Sequence, residues 1–227
     1  MQKSNLNTPL ANNHISVDCV VVGFDGDRLK VLLIKRVGDD EGLAFHDMKL
    51  PGSLIYKDED LDGAAMRVLS ELTGLKNVDL IQFKAFGSKN RTSNPKDVRW
   101  LERAQKAQVE SIVTIAYLAL VKIDRALSRN LETFQADWVA LDDIQDLAFD
   151  HNLIIKEALV YIRQYVESNP AALFELLPRK FTASQLRTLY ELIYNKTIDV
   201  RNFHKKIALM DYVLPLEERQ QGVAHRA

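Results

Sequence analysis

The sequence predicts an α+β protein: a mixed-sheet α/β/α sandwich followed by a small winged helix-turn-helix unit. Three observations predict it. Residues 15–141 carry several β-branched or alternating segments that read as strands. Two helical periods interrupt and close that stretch, which places a mixed sheet between helices. Beyond Pro170 the apolar spacing becomes almost purely helical, in two short runs.

The elements follow in order. Residues 1–14 (MQKSNLNTPLANNH) are polar and read as a loosely ordered tail without the apolar stretch of a signal peptide. Residues 15–24 (ISVDCVVVGF) and 29–35 (LKVLLIK) flank Asp25-Gly26-Asp27, turn chemistry for a hairpin. Residues 48–55 form a short extended piece broken by Pro51-Gly52. In residues 58–73 Leu61, Ala65, Val68, Leu69 and Leu72 recur at helical spacing, with acidic residues first and Gly74 as the stop. Residues 80–86 read as a strand and 90–108 as a polar loop ending in a short helix. Residues 111–123 (SIVTIAYLALVKI) are the strongest strand and 134–141 a weaker one, before a long helix over 144–166.

The division expected is a tail (1–14), a sandwich (15–168) and a helix-turn-helix unit (169–227), with Ser168-Asn169-Pro170 as hinge. Thr182 or Ser184 caps LRTLYELIY, and Asp199 caps VRNFHKKIALM, the two joined by a short turn. Residues 211–227 supply an arm of the wing.

At 227 residues and 47% hydrophobic, the chain can bury a real core. The formal net charge of −1 hides an asymmetry. From Ala171 onward nine Lys/Arg face six Asp/Glu, whereas the first 170 residues hold 21 against 25. A basic end on an acidic body hints at an anionic partner. Cys19 is the only cysteine, so no intrachain disulfide forms. With no run near the roughly 20 apolar residues of a membrane helix, a cytoplasmic protein is expected.

The stretch Leu50 to Leu75, LPGSLIYKDEDLDGAAMRVLSELTGL, carries the chemistry. It resembles the box of the Nudix family, GX5EX7REUXEEXGU (U apolar), over a domain of residues 15–165. Ser53 stands at the first Gly, Glu59 at the first Glu, Arg67 at the Arg and Glu71 at the first Glu of the later pair. Val68 and Leu72 replace glutamates. Diphosphate hydrolysis needs Mg²⁺ held by several carboxylate oxygens, and positions 68, 71 and 72 are expected to project towards it. Two lost ligands remove that cage, so no catalytic residue, metal site or cofactor is expected. Glu71, four residues after Arg67, reads as a helical ion-pair partner.

In residues 199–210 Val200, Phe203, Ile207 and Met210 form an inward stripe. Arg201, Asn202, Lys205 and Lys206 stay outward, the side-chain types that meet phosphates and base edges. Arg187 on the preceding helix and Arg219 or Arg226 on the wing complete the DNA-facing set.

The order of box domain and FELLPRKFTASQLRTLYELI…DVRNFHKKIALM…RQQGVAHRA resembles the Nudix-related transcriptional regulators of the NrtR/AraR family over nearly the whole chain. That resemblance implies a homodimer on palindromic operator DNA, controlled by a small molecule in the Nudix-like domain. In the family the effectors are ADP-ribose-type compounds or L-arabinose, and the lost carboxylates favour the neutral sugar. The chain departs from the family at its end: the family's wing runs on past the Ala-His-Arg segment where Ala227 stands, leaving a short wing or a truncated sequence open. The effector is expected among Lys35, Lys49, Arg67 and Glu71. His151, which matches a family histidine, reads as a cap or core residue, Trp100 and Trp138 as packing residues, and Asn90-Arg91-Thr92 as a polar loop. Other readings stay open: an active hydrolase of nucleoside diphosphate derivatives, and a winged-helix protein-protein adaptor.

Overall fold

The computed structural model describes residues 11–40, 42–105, 111–124, 128 and 130–216. The sheet order is β3-β2-β1-β6-β5, with β4 pairing β1 and β7 pairing β2. Its strands are β1 (Ala11–Phe24), β2 (Leu29–Asp40), β3 (Leu43–Lys49), β4 (Gly52–Tyr56), β5 (Ile81–Phe86), β6 (Val113–Lys122) and β7 (Ala136–Ala140). β1 and β6 run parallel in unbroken register from Ile15↔Val113 to Phe24↔Lys122. The other pairings are antiparallel, so the sheet is mixed.

Period-two alternation sorts each central strand onto two faces. Val17, Cys19 and Val21 of β1 meet α1 (Leu61–Thr73) through Ala64, Ala65, Val68 and Leu69. Val20, Val22 and Phe24 face the other way, onto Ile154, Ala158 and Ile162 of α3 (His151–Ser168). α2 (Pro95–Gln105) lies against β2. The result is the expected sandwich of helices on both sides of a sheet.

Four expectations are corrected. The tail was to run through residue 14, but β1 begins at Ala11, because Ala11 pairs with Tyr56 of β4. β2 and β3 extend into a long antiparallel ribbon, Asp40↔Leu43 to Ile34↔Lys49, whereas the sequence predicts strand only over 29–35 and 48–55. The closing helix starts at His151 rather than 144, since Phe149 takes a left-handed φ of 57° and Asn152 Oδ1 accepts from Leu147 N–H. Ser168-Asn169-Pro170 is no loose hinge: the chain turns directly into a 3-10 segment, Pro170–Leu176, that buries Ala172, Leu173 and Leu176.

The C-terminal helices are α4 (Ala183–Tyr194) and α5 (Val200–Ile207). Leu186, Leu189, Ile193, Phe203 and Met210 join the same apolar cluster as α3, so sandwich and helix pair share one continuous core. Residues 211–216 contain no strand, and the rest of the expected wing, with Arg219 and Arg226, lies outside the described residues.

Candidate functional site

The box helix is built as its sequence requires. Asp60 caps α1, accepting from Gly63 N–H at 2.7 Å. Gly74 ends it at φ 73°, a conformation that glycine adopts without the Cβ penalty of other residues. A Cβ there would also meet the Phe134 ring at 2.6 Å.

The box carboxylates are both held by Arg67. Arg67 grips Glu59 with two nitrogens, the Nη2–Oε2 contact being 2.8 Å, and reaches Glu71 at 3.1 Å and the Leu54 carbonyl at 3.2 Å. Its guanidinium lies 3.9 Å from the Tyr56 ring centroid. Glu59 also accepts from Tyr56 N–H, and Arg67 holds its carboxyl below the usual carboxylate range. The expected projection of position 68 towards a metal is corrected: Val68 is fully buried in the apolar cluster under the sheet, and Leu72 packs against that cluster. Glu71 alone points outward. Two carboxylates engaged by one guanidinium, beside a valine and a leucine, do not fit the octahedral oxygen set of Mg²⁺.

A second constellation occupies the opposite face. Asp18 sits in β1 among apolar residues and is 5% exposed. His151 Nδ1 accepts from Leu50 N–H at 3.0 Å, so the neutral ring carries its proton on Nε2, 3.5 Å from Asp18 Oδ1. Arg91 Nη2 lies 3.4 Å from Asp18 and 3.2 Å from Asp150. Burial pushes the Asp18 carboxyl up, but His151 and Arg91 outweigh it and hold the group well below the carboxylate range. Gly52 permits this arrangement: a Cβ there would lie 1.8 Å from Asp18 Oδ1. Gly52→Ala is therefore expected to lower the melting temperature by several degrees in a thermal unfolding scan, because β4 must separate from β1.

Lys49 is a second cation of this cleft, beside Arg91. Its ammonium donates to the Leu50 and Gly52 carbonyls at 3.1 and 2.8 Å. Burial pushes it down to about 8, with Asp18 pulling up and Arg36 pushing down. The folded value lies below the ordinary 10.5, so the unfolded chain binds more protons in between and stability rises with pH from about 8 to 10.5. Urea titrations at pH 7.5 and 10 should show the wild type gaining about 2 kcal/mol on Lys49→Met. A difference independent of pH would contradict this. The cavity enclosed by Asp18, Lys49, Arg91, Thr92, Trp100 and His151 is about 40 Å³.

The four effector residues expected from the sequence do not share this cleft. Lys49 lines it, Arg67 and Glu71 stand on α1 at the other face, and Lys35 is exposed on β2. Asp18, Arg91 and His151 were missed as site residues. A single carboxylate within ISVDCVVVGF was the available signal, since a charge inside an apolar strand needs a partner. Asn90-Arg91-Thr92 is not merely a polar loop: Arg91 is 6% exposed. Beside the cleft, Arg36 is fully buried, paired to both Asp47 oxygens and to Asp97 at 2.6 Å, among the rings of Phe45, Trp100 and Phe149. That cluster clamps α2 onto the β2–β3 ribbon.

The helix pair is separately braced. Thr182 and Gln185 form a reciprocal capping box at α4, and Asn195 ends that helix in the left-handed region. Glu191 Oε1 accepts from Ile198 N–H across the turn, and Asp199 caps α5 through Asn202 N–H. Phe203 packs edge-on against Tyr190 at 5.6 Å. Arg201, Asn202, Lys205 and Lys206 are exposed, as expected, and Arg187 is half-buried on α4. The Lys206 ammonium rests over the Tyr190 ring at 4.3 Å. Val200 is corrected from the inward stripe: it is 50% exposed, whereas Phe203 and Met210 are buried.

Comparison with known proteins agrees with this two-part layout. Residues 12–159 match the NUDIX domain, and residues 173–227 match the NrtR DNA-binding winged helix domain. The chain is similar to the ADPR responsive transcriptional repressor NtrR of Acinetobacter baylyi, 26% identical over 210 residues that cover 91% of this chain and 75% of that protein. It is similar to the crystal structure of Shewanella oneidensis NrtR complexed with a 27mer DNA, with TM-score 0.65, 25% identity, and 91% and 90% of the two chains covered. A MutT/nudix family protein from Enterococcus faecalis shares the fold, with TM-score 0.63, 22% identity, and 96% and 86% covered.

Proposed function

The chain belongs to the Nudix family, with a match to the NrtR winged helix domain behind its Nudix domain, and from this premise we propose that it is an effector-controlled, DNA-binding transcriptional repressor. The observation that carries this reading is the outer face of α5. Arg201, Asn202 and Lys205 stand exposed on a capped helix whose other side is locked into the core by Phe203. Their side chains take no hydrogen bond or ion pair among the described residues, leaving donors aimed at a partner. A helix presented this way behind a capped first helix suits major-groove entry. A homodimer on a palindromic operator follows as part of the proposal, in the cytoplasm. No helix of the described residues is long and apolar enough to cross a membrane. Selection from a random duplex library tests the proposal: enrichment of a two-fold symmetric site supports it, and no enrichment over the input rejects it.

The Nudix domain is proposed as sensor, not enzyme. With Val68 in the core and both box carboxylates on Arg67, ADP-ribose incubated with the protein and Mg²⁺ should release phosphate products no faster than with a Glu71→Gln variant. Turnover well above that variant would restore the hydrolase reading.

The relative named as ADPR responsive supports an ADP-ribose-type effector. A neutral sugar such as L-arabinose is the second reading: Asp18, Lys49, Arg91 and His151 offer the donors and acceptors that hydroxyls need, in a cleft that at about 40 Å³ must open to admit either ligand. Lys49 is kept from the expected effector set, whereas Lys35, Arg67 and Glu71 do not line this cleft, Arg67 reaching only the backbone carbonyl of its lining residue Leu54. Calorimetry of the full chain with ADP-ribose and with L-arabinose, repeated on Lys49→Met, separates the two ligands and tests the cleft.

A further inference from the structure

Between the sandwich and the helix pair lies a groove of about 730 Å³, formed by α3, the start of β2 and the end of α4 with the turn after it. That volume is typical of a small-molecule site, unlike the cleft. Its floor is apolar: Leu29 and Ile155 are buried there, and Leu141 and Leu159 are half-buried. Its rim is basic, with Arg28, Lys156, Arg163 and Lys196 against Asp142 and Glu191.

The cations have donors to spare. Arg28 is paired with Asp143 at 2.9 Å, and Glu191 is partly spent on Ile198 N–H at 2.8 Å. Lys156 is exposed and has no partner among the described residues. Among the described residues Lys196 rests only on the Tyr194 ring, 5.1 Å from its centroid. Arg163 is fixed by donating from Nε to the Ile193 carbonyl at 2.7 Å, which leaves both terminal amino groups of its planar fork without a partner among the described residues. A pre-positioned guanidinium and two lysines above an apolar floor match a ligand with a ring at one end and phosphate at the other.

We infer that this groove binds a nucleoside phosphate, its ring on the Leu29–Ile155–Leu159 floor and its phosphate among Lys156, Arg163 and Lys196. The inference goes beyond the repressor reading and does not depend on DNA binding. A ligand here would bridge α3 of the sandwich and the turn that carries α5, tying the two units together.

Calorimetry of the full-length protein with ADP, and with adenosine as the neutral control, tests it. ADP should bind at least tenfold tighter than adenosine. The double variant Lys156→Glu/Lys196→Glu, both exposed positions, should weaken ADP at least tenfold without lowering the melting temperature. No ADP heat at millimolar concentration, equal affinity for adenosine, or unchanged ADP affinity in the double variant would overturn the inference. A loss of ADP binding in Lys49→Met would place ADP in the cleft and overturn it as well. Operator DNA is absent from every arm, so these outcomes stand apart from the fate of the repressor proposal.

Discussion

Arg36→Met is expected to destabilise the protein by about 3–5 kcal/mol, the usual cost of removing one partner from a buried ion cluster. The Arg36 side chain is fully enclosed and Asp97 is 4% exposed, so Asp97 would be left as an uncompensated charge between α2 and the sheet. Asp47 would keep Lys96 at 2.7 Å and suffer less. In a chain of this size the melting temperature should fall by roughly 6–20 °C. The double variant Arg36→Met/Asp97→Asn should recover much of the loss. It removes the orphaned charge, and the amide oxygen can still accept from Phe149 N–H, now at 2.9 Å. If the double variant is less stable than the single one, Asp97 is not the source of the penalty.

Phe203→Ala is the second large effect, about 3–5 kcal/mol from the cavity left by a core ring. Phe203 is 2% exposed, set between Tyr190 and the cluster that α3 and α4 share. Denaturant unfolding should show the loss, and DNA binding should fall with the folded fraction. Arg201→Ala should behave in the opposite way, leaving stability unchanged while altering DNA binding, because its side chain is exposed and unpaired among the described residues. Equal stabilities of Phe203→Ala and wild type would mean that α5 is not docked as described.

Much of this fold is legible along the chain because local chemistry decides it. The alternation in ISVDCVVVGF places Val17, Cys19 and Val21 on one face and Val20 and Val22 on the other. Asp60, Thr182 and Asp199 start their helices where capping residues stand in the sequence. The misjudged points depend on contacts distant in sequence. The long helix starts later than its periodicity predicts because Phe149 adopts a left-handed φ while its N–H serves Asp97, 52 residues away. The box spacing puts Val68 at a metal-ligand position, but the face of α1 it occupies is chosen by the sheet beneath. Lys49 is legible in the sequence, yet its neighbours in the cleft, Asp18, Arg91 and His151, come from three separate elements. No spacing rule joins residues 18, 91 and 151; only the parallel β1–β6 core and the docking of α3 do so.

DNA affinity measured across salt concentration, for wild type, Arg201→Ala and Lys205→Ala, tests the repressor reading most directly, using the selected symmetric site and a random duplex. Arg201 lies in the first turn of α5, where base edges are read, and its removal should cost about 1–3 kcal/mol on the selected site alone, narrowing the gap to random DNA. Lys205 stands a turn later, and its removal should weaken both duplexes alike and reduce the salt slope by about one. If both variants hold the selected site as tightly as wild type at every salt concentration, α5 does not read DNA and the proposed function fails.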